Sequence, residues 1–311
     1  MKESYHICFT SHDEVLFRDE EDHGVFVNLM ALRSFSSEAE ILADAEMSTH
    51  FHSVVFAENP MLFASALRMS YTKYFNQKYD RKGRMGQKYT FSQKIDGFYH
   101  LMVALSYVLR NGLHHGAAPT AFGYTYCSVR ELFAKEIGLS SEKAGLFSRA
   151  DMAAYLPRYS EFPDHWQMNE SGVFLRQSFM ELRRAEQYYA TARNYLYQMN
   201  RLTDESWKEV QQKDNTGQPV TLSMIEGADE ASVAQMLNNE YGRNFRNSHL
   251  QDMDVCRLVD QELLPSYGVR SVYLLSDSQR QRLARQLQAE FHLPEHQIAR
   301  CLGYQPWPRL Q

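Results

Sequence analysis

The sequence predicts an α+β fold: an antiparallel sheet with helices in the first part of the chain, then a mainly helical region. Up to about residue 116, short strand-like stretches alternate with longer stretches of helical periodicity, in the order β-α-β-β-α-β-α. From about residue 140 the strand-like alternation disappears, and long helical stretches follow. The first pattern is that of a ferredoxin-like sheet, and we expect its helices to cover one face.

Each element of the first part has its own signal in the sequence. The predicted strands are 4–11, 39–46, 50–57 and 87–95. The predicted helices are 22–35, 59–79 and 98–116. The second helix has the clearest start, because Asn59 is a favourable N-cap and Pro60 suits the first helical position. The turn Met47-Ser48-Thr49 joins the second and third strands.

The remainder of the chain is predicted to be helical. Residues 171–202 read as a long, surface-like helical segment, and the polar stretch 211–220 reads as a loop. Residues 280–304 resemble the first two helices of a helix-turn-helix, but the two prolines of the following QPWPRLQ disfavour a recognition helix. This segment is either a degenerate DNA-binding unit or a plain packing unit. The predicted domains are 1–135, a helical extension 136–230 and a helical C-terminal domain 231–311.

Composition narrows the class of protein. The 311 residues are 44% hydrophobic and 23% charged, which suits a soluble protein with a buried core, and the net charge of −5 gives no global sign of nucleic-acid binding. The four scattered cysteines form no C-x-x-C pair, which argues against a zinc ribbon or a disulfide framework. We see no signal peptide, and the apolar run 101–109 is too short to span a bilayer. We expect a cytoplasmic protein.

The first candidate for chemistry is the pair His50 and His52 at the start of the third strand. Alternate side chains of a strand share a face, so both imidazoles point the same way and Phe51 points into the opposite layer. Two neutral imidazoles can hold a divalent ion. An isolated H-x-H pair is more often two surface or core histidines, so this pair needs further ligands to become a metal site.

The helix 98–116 offers a candidate ligand and a candidate nucleophile. Tyr107 and Asn111 are four residues apart and therefore lie on one helical face. An amide oxygen can bind a hard cation, and a tyrosine hydroxyl can act as a nucleophile. Tyrosine is common in this chain, with 19 copies, so Tyr107 is also compatible with a core position.

A basic stretch lies between these two candidate sites. Residues 68–94 have a net charge of +7, and tyrosines and phenylalanines are interleaved with the basic residues. Basic residues along a backbone of phosphates, with aromatic rings on which bases stack, are what single-stranded nucleic acid requires. The alternative is a solvated helix face with its aromatic residues in the core. The predicted nucleic-acid-binding residues are Arg68, Lys73, Lys78, Arg81, Lys82, Arg84, Lys88 and Lys94.

In order and spacing, these segments resemble one known family. YHICFTS, LFRDEEDHGVFVNLM and EILADAEMSTHFHSVV resemble the opening of single-tyrosine HUH transposases, especially the branch associated with repeated extragenic palindromes (REP). The likeness continues through GRMGQKYTFSQKI and LSYVLRNGLHHGAAPTAFGYTYCSVRELF, and covers roughly residues 4–134. Ser48-Thr49 and Asn111-Gly112 stand where the family commonly has Pro-Asn and Asn-Pro.

The resemblance implies an HUH nuclease domain with a defined site. His50, His52 and Asn111 would bind Mg²⁺ or Mn²⁺, and Tyr107 would be the nucleophile. The implied activity is nicking and strand transfer of single-stranded or hairpin DNA through a 5′-phosphotyrosine, by a protein that is compatible with a homodimer. The alternatives are a catalytically silent nucleic-acid-binding protein that keeps the fold, or a transcription regulator acting through residues 280–304.

Overall fold

The fold is described from a computed structural model. It describes residues 1–304 except for 12–13, 87–88, 116, 119, 139–142 and 202–249, and the backbone alone at 200–201. The predicted loop 211–220, the basic residue Lys88 and the residues after 304 lie outside the described residues.

The first part of the chain forms a four-stranded antiparallel sheet. Its strands are β1 (Glu3–Thr10), β2 (Glu40–Met47), β3 (His50–Ala57) and β4 (Phe91–Lys94). They lie in the order β2-β3-β1-β4, so that β3 and β1 are central. With one helix between β1 and β2 and another between β3 and β4, this is the ferredoxin-like arrangement. The predicted α+β class is confirmed.

Helices cover both faces of the sheet. Helices α1 (Glu20–Ser36) and α2 (Pro60–Tyr79) pack on the face that carries Phe51, whose ring lies 4.8 Å from that of Phe26 in α1. Helix α3 (Gly97–His114) packs on the opposite face, with the Tyr107 and His52 rings 5.1 Å apart. The expectation that helices cover one face was therefore wrong.

Helices can cover both faces of the sheet because β3 is buried on both sides, with residues 51–55 all buried. A strand buried on both faces lacks the alternation of apolar and polar residues that marks a single covered face. The start of α2, in contrast, was predicted correctly from the sequence. The Asn59 side chain accepts a hydrogen bond from the Met61 N–H and so caps α2, as predicted.

The long, surface-like helical segment predicted over 171–202 is broken into short helices, and one further helix precedes it. The helices here are α4 (Arg149–Ala154), α5 (Arg176–Phe179), α6 (Leu182–Tyr189) and α7 (Ala192–Arg201). Extended backbone at Met180 separates α5 from α6, and Ala190, with φ of 66°, separates α6 from α7. Tyr189 and Tyr195 are fully buried, one on each side of the break at Ala190. Tertiary packing of such side chains therefore outweighs the local preference for one continuous helix.

The C-terminal residues 250–304 form a second helical core. The α-helices are α8 (Asp252–Arg257), α9 (Asp277–Phe291) and α10 (Glu295–Leu302). A π-helical turn (Leu258–Leu263) and 3₁₀ turns (Leu264–Tyr267 and Val272–Leu274) link α8 to α9, and another 3₁₀ turn, Ser128–Arg130, follows α3. Helices α9 and α10 correspond to the two predicted helices of 280–304, and a recognition helix would fall outside the described residues.

Residues 14–18, the linking segment, connect this C-terminal core to the sheet. Val15 is packed in the C-terminal core, and its N–H donates to the Arg300 carbonyl at 3.2 Å. The buried Arg18 guanidinium donates to the Asp260 carboxylate and to the Cys301 carbonyl, each at 2.7 Å. The Leu16 N–H donates to the Ser48 carbonyl at 2.6 Å. The linking segment thus contacts both the C-terminal helices and the turn before β3.

Within the part of the chain that is described, no helix combines the length and the apolar character needed to cross a bilayer.

Candidate metal centre

The candidate residues from β3 and α3 meet on one face of the sheet. The His50 and His52 rings lie 5.0 Å apart. His50 Nε2 is 3.4 Å from Asn111 Oδ1, and His52 Nε2 is 3.5 Å from the Tyr107 hydroxyl. The four side chains predicted from the sequence therefore converge from two elements that are distant in the chain.

Hydrogen bonds on the other side of each imidazole orient the two rings. His52 Nδ1 lies 3.1 Å from His6 Nε2, and His50 Nδ1 lies 3.2 Å from Thr49 Oγ1. When Nδ1 carries the proton, it donates to these acceptors and leaves Nε2 with a free lone pair. Both Nε2 atoms then face the groups on α3.

Asn111 is oriented from within its own helix. Its Nδ2 donates to the Tyr107 carbonyl at 2.9 Å, so its Oδ1 is the atom turned toward His50. Two donor atoms that share a tetrahedral or octahedral ion at about 2.1 Å are about 3.0–3.4 Å apart. The 3.4 Å contact between His50 Nε2 and Asn111 Oδ1 is close to this separation, and two imidazoles with an amide oxygen form a suitable donor set for a divalent ion.

Histidines alone do not provide enough ligands for a metal ion at this site. In the described residues, no three or more His, Cys, Asp or Glu side chains are grouped so that they could hold a metal ion. An ion here would therefore have two imidazole ligands and would take its other ligands from the amide, the phenol, substrate or water.

Burial holds the His52 and His115 imidazoles in the neutral form. Burial is the main cause that lowers the pKa of His52 well below its usual value, and His50, His6 and His115 contribute further. Burial also lowers the pKa of His115, followed by His50 and His114. A histidine must be neutral to bind a metal ion, so this environment favours the ligand form.

Sequence reasoning missed three neighbours of the site. His6 is fully buried on β1, and the Cys8 thiol lies 3.9 Å from His52 Nε2. The His115 ring lies 5.1 Å from that of His50, and its buried Nε2 has no hydrogen-bond partner among the described residues. The stretch YHIC carried a signal, because His6 and Cys8 have the same alternate spacing as His50 and His52.

Comparisons with known proteins find similarity among solved structures. Neither a protein family nor a curated protein matches the chain. A solved structure of a REP-associated tyrosine transposase bound to a REP hairpin is 12% identical to this chain, with a TM-score of 0.39. The match covers 52% of this chain and 94% of the other. A likeness at this level does not assign an activity.

The predicted basic residues fall into two groups, those that are bonded within the fold and those that are exposed. Four of them are engaged within the fold. Arg68 is buried and donates to the Met85 carbonyl, while Lys78 pairs with Asp19 and Asp22, Arg81 with Glu14, and Lys94 with Glu3. Lys73, Lys82 and Arg84 are exposed, and Lys88 lies outside the described residues. A nucleic-acid surface therefore stays a prediction, with three of the eight residues placed for it.

Proposed function

We propose that this protein nicks and rejoins single-stranded or hairpin DNA through a covalent bond to Tyr107, in the manner of the single-tyrosine HUH transposases that its sequence resembles. The observation that carries the proposal is the convergence of His50, His52 and Asn111 beside the Tyr107 hydroxyl. Sequence spacing explains why His50 and His52 share a face of β3 and why Tyr107 and Asn111 share a face of α3. It does not explain why these two faces meet, because that depends on the tertiary fold.

The residues have separate roles in this proposal. His50 and His52 would hold a divalent ion through Nε2, and Asn111 would hold it through Oδ1. When bound, Mg²⁺ or Mn²⁺ would supply positive charge that stabilises the scissile phosphate as negative charge develops on it. Thr49 and the backbone of α3 keep the ligand atoms turned toward this point.

Tyr107 would carry out the covalent step. Its phenolic oxygen attacks phosphorus in line, so a bond forms between phosphorus and the tyrosine oxygen while the bond to the 3′-oxygen breaks. The phenol loses its proton to solvent, and the departing 3′-oxygen gains one. The 5′-phosphotyrosine conserves the bond energy, so a second 3′-hydroxyl can reverse the step and rejoin DNA without ATP.

The experiment is covalent capture of labelled DNA hairpins. The full chain is incubated with Mn²⁺ and end-labelled single-stranded hairpin oligonucleotides, and adducts are resolved on a denaturing gel. Tyr107→Phe should abolish the adduct and leave binding intact, since only the hydroxyl is removed. Tyr99→Phe, near the start of α3, is the matched control and should keep the adduct. An adduct that persists in Tyr107→Phe would reject the assignment.

The exposed Lys73, Lys82 and Arg84 favour a second candidate, a protein that binds nucleic acid without cleaving it. Such a protein would bind the same hairpins with a steep dependence on salt. The wild-type chain would then give no adduct at any metal concentration, and replacing the three basic residues with glutamine would weaken binding alone.

A further inference from the structure

His6 is the residue of β1 that lies closest to the proposed ligand His52. Its side chain is fully buried, and its Nε2 is 3.1 Å from His52 Nδ1. The two rings are stacked, with centroids 5.2 Å apart and planes inclined by 12°. The contact is therefore a hydrogen bond between two imidazoles that lie almost parallel.

The strand register accounts for this contact. Cys8 lies directly opposite His52 in the antiparallel pairing of β1 and β3. His6 is two residues away from Cys8 on the same strand, so it shares that face and is the diagonal neighbour of His52. The contact thus depends on the backbone pairing of the two central strands.

Neighbouring rings hold His6 in this position. Phe91 of β4 and Tyr107 of α3 both meet the His6 ring edge to face, at 5.7 and 6.0 Å between centroids. A ring enclosed in this way loses little further freedom when it forms a hydrogen bond, so its direction toward His52 is fixed before any ligand binds.

One proton lies between His6 Nε2 and His52 Nδ1, and its location determines what His52 can do. If His52 Nδ1 carries the proton, His52 Nε2 is a lone pair facing Tyr107 and the proposed ion. If His6 Nε2 carries it, neutral His52 has its own proton on Nε2 and cannot bind a metal ion there.

We propose that His6 is a positioning residue that accepts the His52 Nδ1 proton and thereby holds His52 in the tautomer that can bind a metal ion through Nε2. This inference rests on the proposed role of His52 as a ligand. Partners of this kind around a metal-bound histidine contribute about 10–100-fold to metal affinity.

The test uses two readouts that do not depend on DNA cleavage. The first is the ¹⁵N spectrum of histidine-labelled, metal-free protein, which distinguishes the two tautomers of each ring. His52 is expected as the Nδ1–H tautomer in the wild type. The second is the affinity for Mn²⁺ measured by calorimetry, without any oligonucleotide.

Two substitutions and one control separate hydrogen bonding from packing. His6→Phe keeps an aromatic ring but removes the acceptor, and should weaken Mn²⁺ binding by about 10–100-fold and abolish the Nδ1–H preference. His6→Gln places an amide oxygen near the former Nε2 and should recover most of the affinity. Phe91→Leu changes the packing around His6 but not the acceptor, and should leave both readouts close to wild type.

The outcomes distinguish this inference from the proposed function. A wild-type His52 that carries its proton on Nε2, or a His6→Phe variant that folds normally and keeps wild-type affinity, overturns the role of His6. Failure of the wild type to form a DNA adduct, with tautomer and Mn²⁺ results as expected, rejects the transposase activity alone. A His6→Phe variant with a changed circular dichroism spectrum is replaced by His6→Gln and His6→Asn, of which only the former should bind Mn²⁺ well.

Discussion

Strands β2 and β3 are buried on both faces, and the two faces are stabilised in different ways. On the face toward α1, the Arg176 guanidinium bonds to the carboxylates of Asp44 and Glu46, at 3.0 and 2.6 Å. On the face toward α3, imidazoles contact their neighbours at 3.1 to 3.9 Å. The first face is a network of short bonds around the Arg176–Asp44 ion pair, and the second is a set of longer contacts among imidazole, amide, phenol and thiol groups.

The face toward α1 also contains a histidine, His23, and its direct contact with Glu46 determines its protonation state. Burial lowers the pKa of His23 to about 3 and raises the pKa of Glu46 well above its usual value. Both directions place the shared proton on the Glu46 carboxyl, which donates to His23 Nδ1 over 2.7 Å. Arg176 and Asp44 remain as the charged pair. His23 and Glu46 are therefore engaged with each other, whereas on the α3 face the Nε2 atoms of His50 and His52 have contacts of 3.4 and 3.5 Å.

The largest expected effect is on the face toward α1. Arg176→Met leaves Asp44 as a buried carboxylate without its cation, and should lower the free energy of unfolding by about 3–5 kcal/mol. Urea denaturation followed by circular dichroism measures this change. Arg184→Met, which removes a half-exposed pair with Glu40, is the matched control and should cost about 1 kcal/mol or less. Equal costs for the two variants would mean that the network does not hold the charge of Asp44.

The next effect is the pH dependence contributed by His52. Its folded pKa is lowered, so below about pH 6.5 the unfolded chain binds a proton that the folded protein does not. Its contribution is thus complete above that pH and is lost as the pH falls, by up to about 1.4 kcal/mol per pH unit. Unfolding in urea with a chelator, between about pH 7.5 and 5, measures the slope.

His52→Gln should flatten that slope by the contribution of one group. A His52→Gln slope as steep as the wild type would show that His52 is readily protonated in the folded protein.

The smallest expected change in stability is that of His50→Ala. His50 is half-buried and its contacts with Thr49 and Asn111 are 3.2 and 3.4 Å long, so the free energy of unfolding should change by about 1 kcal/mol or less. Mn²⁺ binding measured by calorimetry should nevertheless be lost, because one of two imidazole ligands is gone. His100→Ala, near the start of α3, should keep Mn²⁺ binding. A large loss of stability in His50→Ala would show that both faces of the sheet are structural.

The sequence was sufficient for features that depend on local periodicity. Strand β3 was predicted over 50–57 and observed there, because its β-branched and aromatic residues follow a turn and precede the Asn59 cap. His50 with His52, and Tyr107 with Asn111, could be placed on common faces from spacing alone. Which sheet face α3 would cover could not be predicted, since β3 is apolar on both sides.

Features that depend on residues far apart in the chain were beyond the sequence. The basic stretch was counted without its partners, yet Lys78 pairs with Asp19, 59 residues away, and Lys94 with Glu3, 91 residues away. Of its aromatic residues, Tyr71 and Phe75 lie in the core, where their rings contact those of α1 and α2. The sequence gives the charge and the aromatic content of this stretch. It does not show that several of its basic side chains are paired with acidic residues or that Tyr71 and Phe75 are buried.

The linking segment has a consequence for dissecting this protein. Deleting residues 275–311 would remove the Arg300 carbonyl that accepts from the Val15 N–H and the Cys301 carbonyl that accepts from the Arg18 guanidinium, while Asp260 would remain. The linking segment that carries Val15 and Arg18 also bonds to Ser48 in the turn that precedes His50. Such a truncation would alter the geometry of the sheet as well as any function of the missing helices. Point substitutions on the outer surface of α9, such as Arg282→Ala and Arg285→Ala, would test a DNA-binding role of the C-terminal helices without this effect.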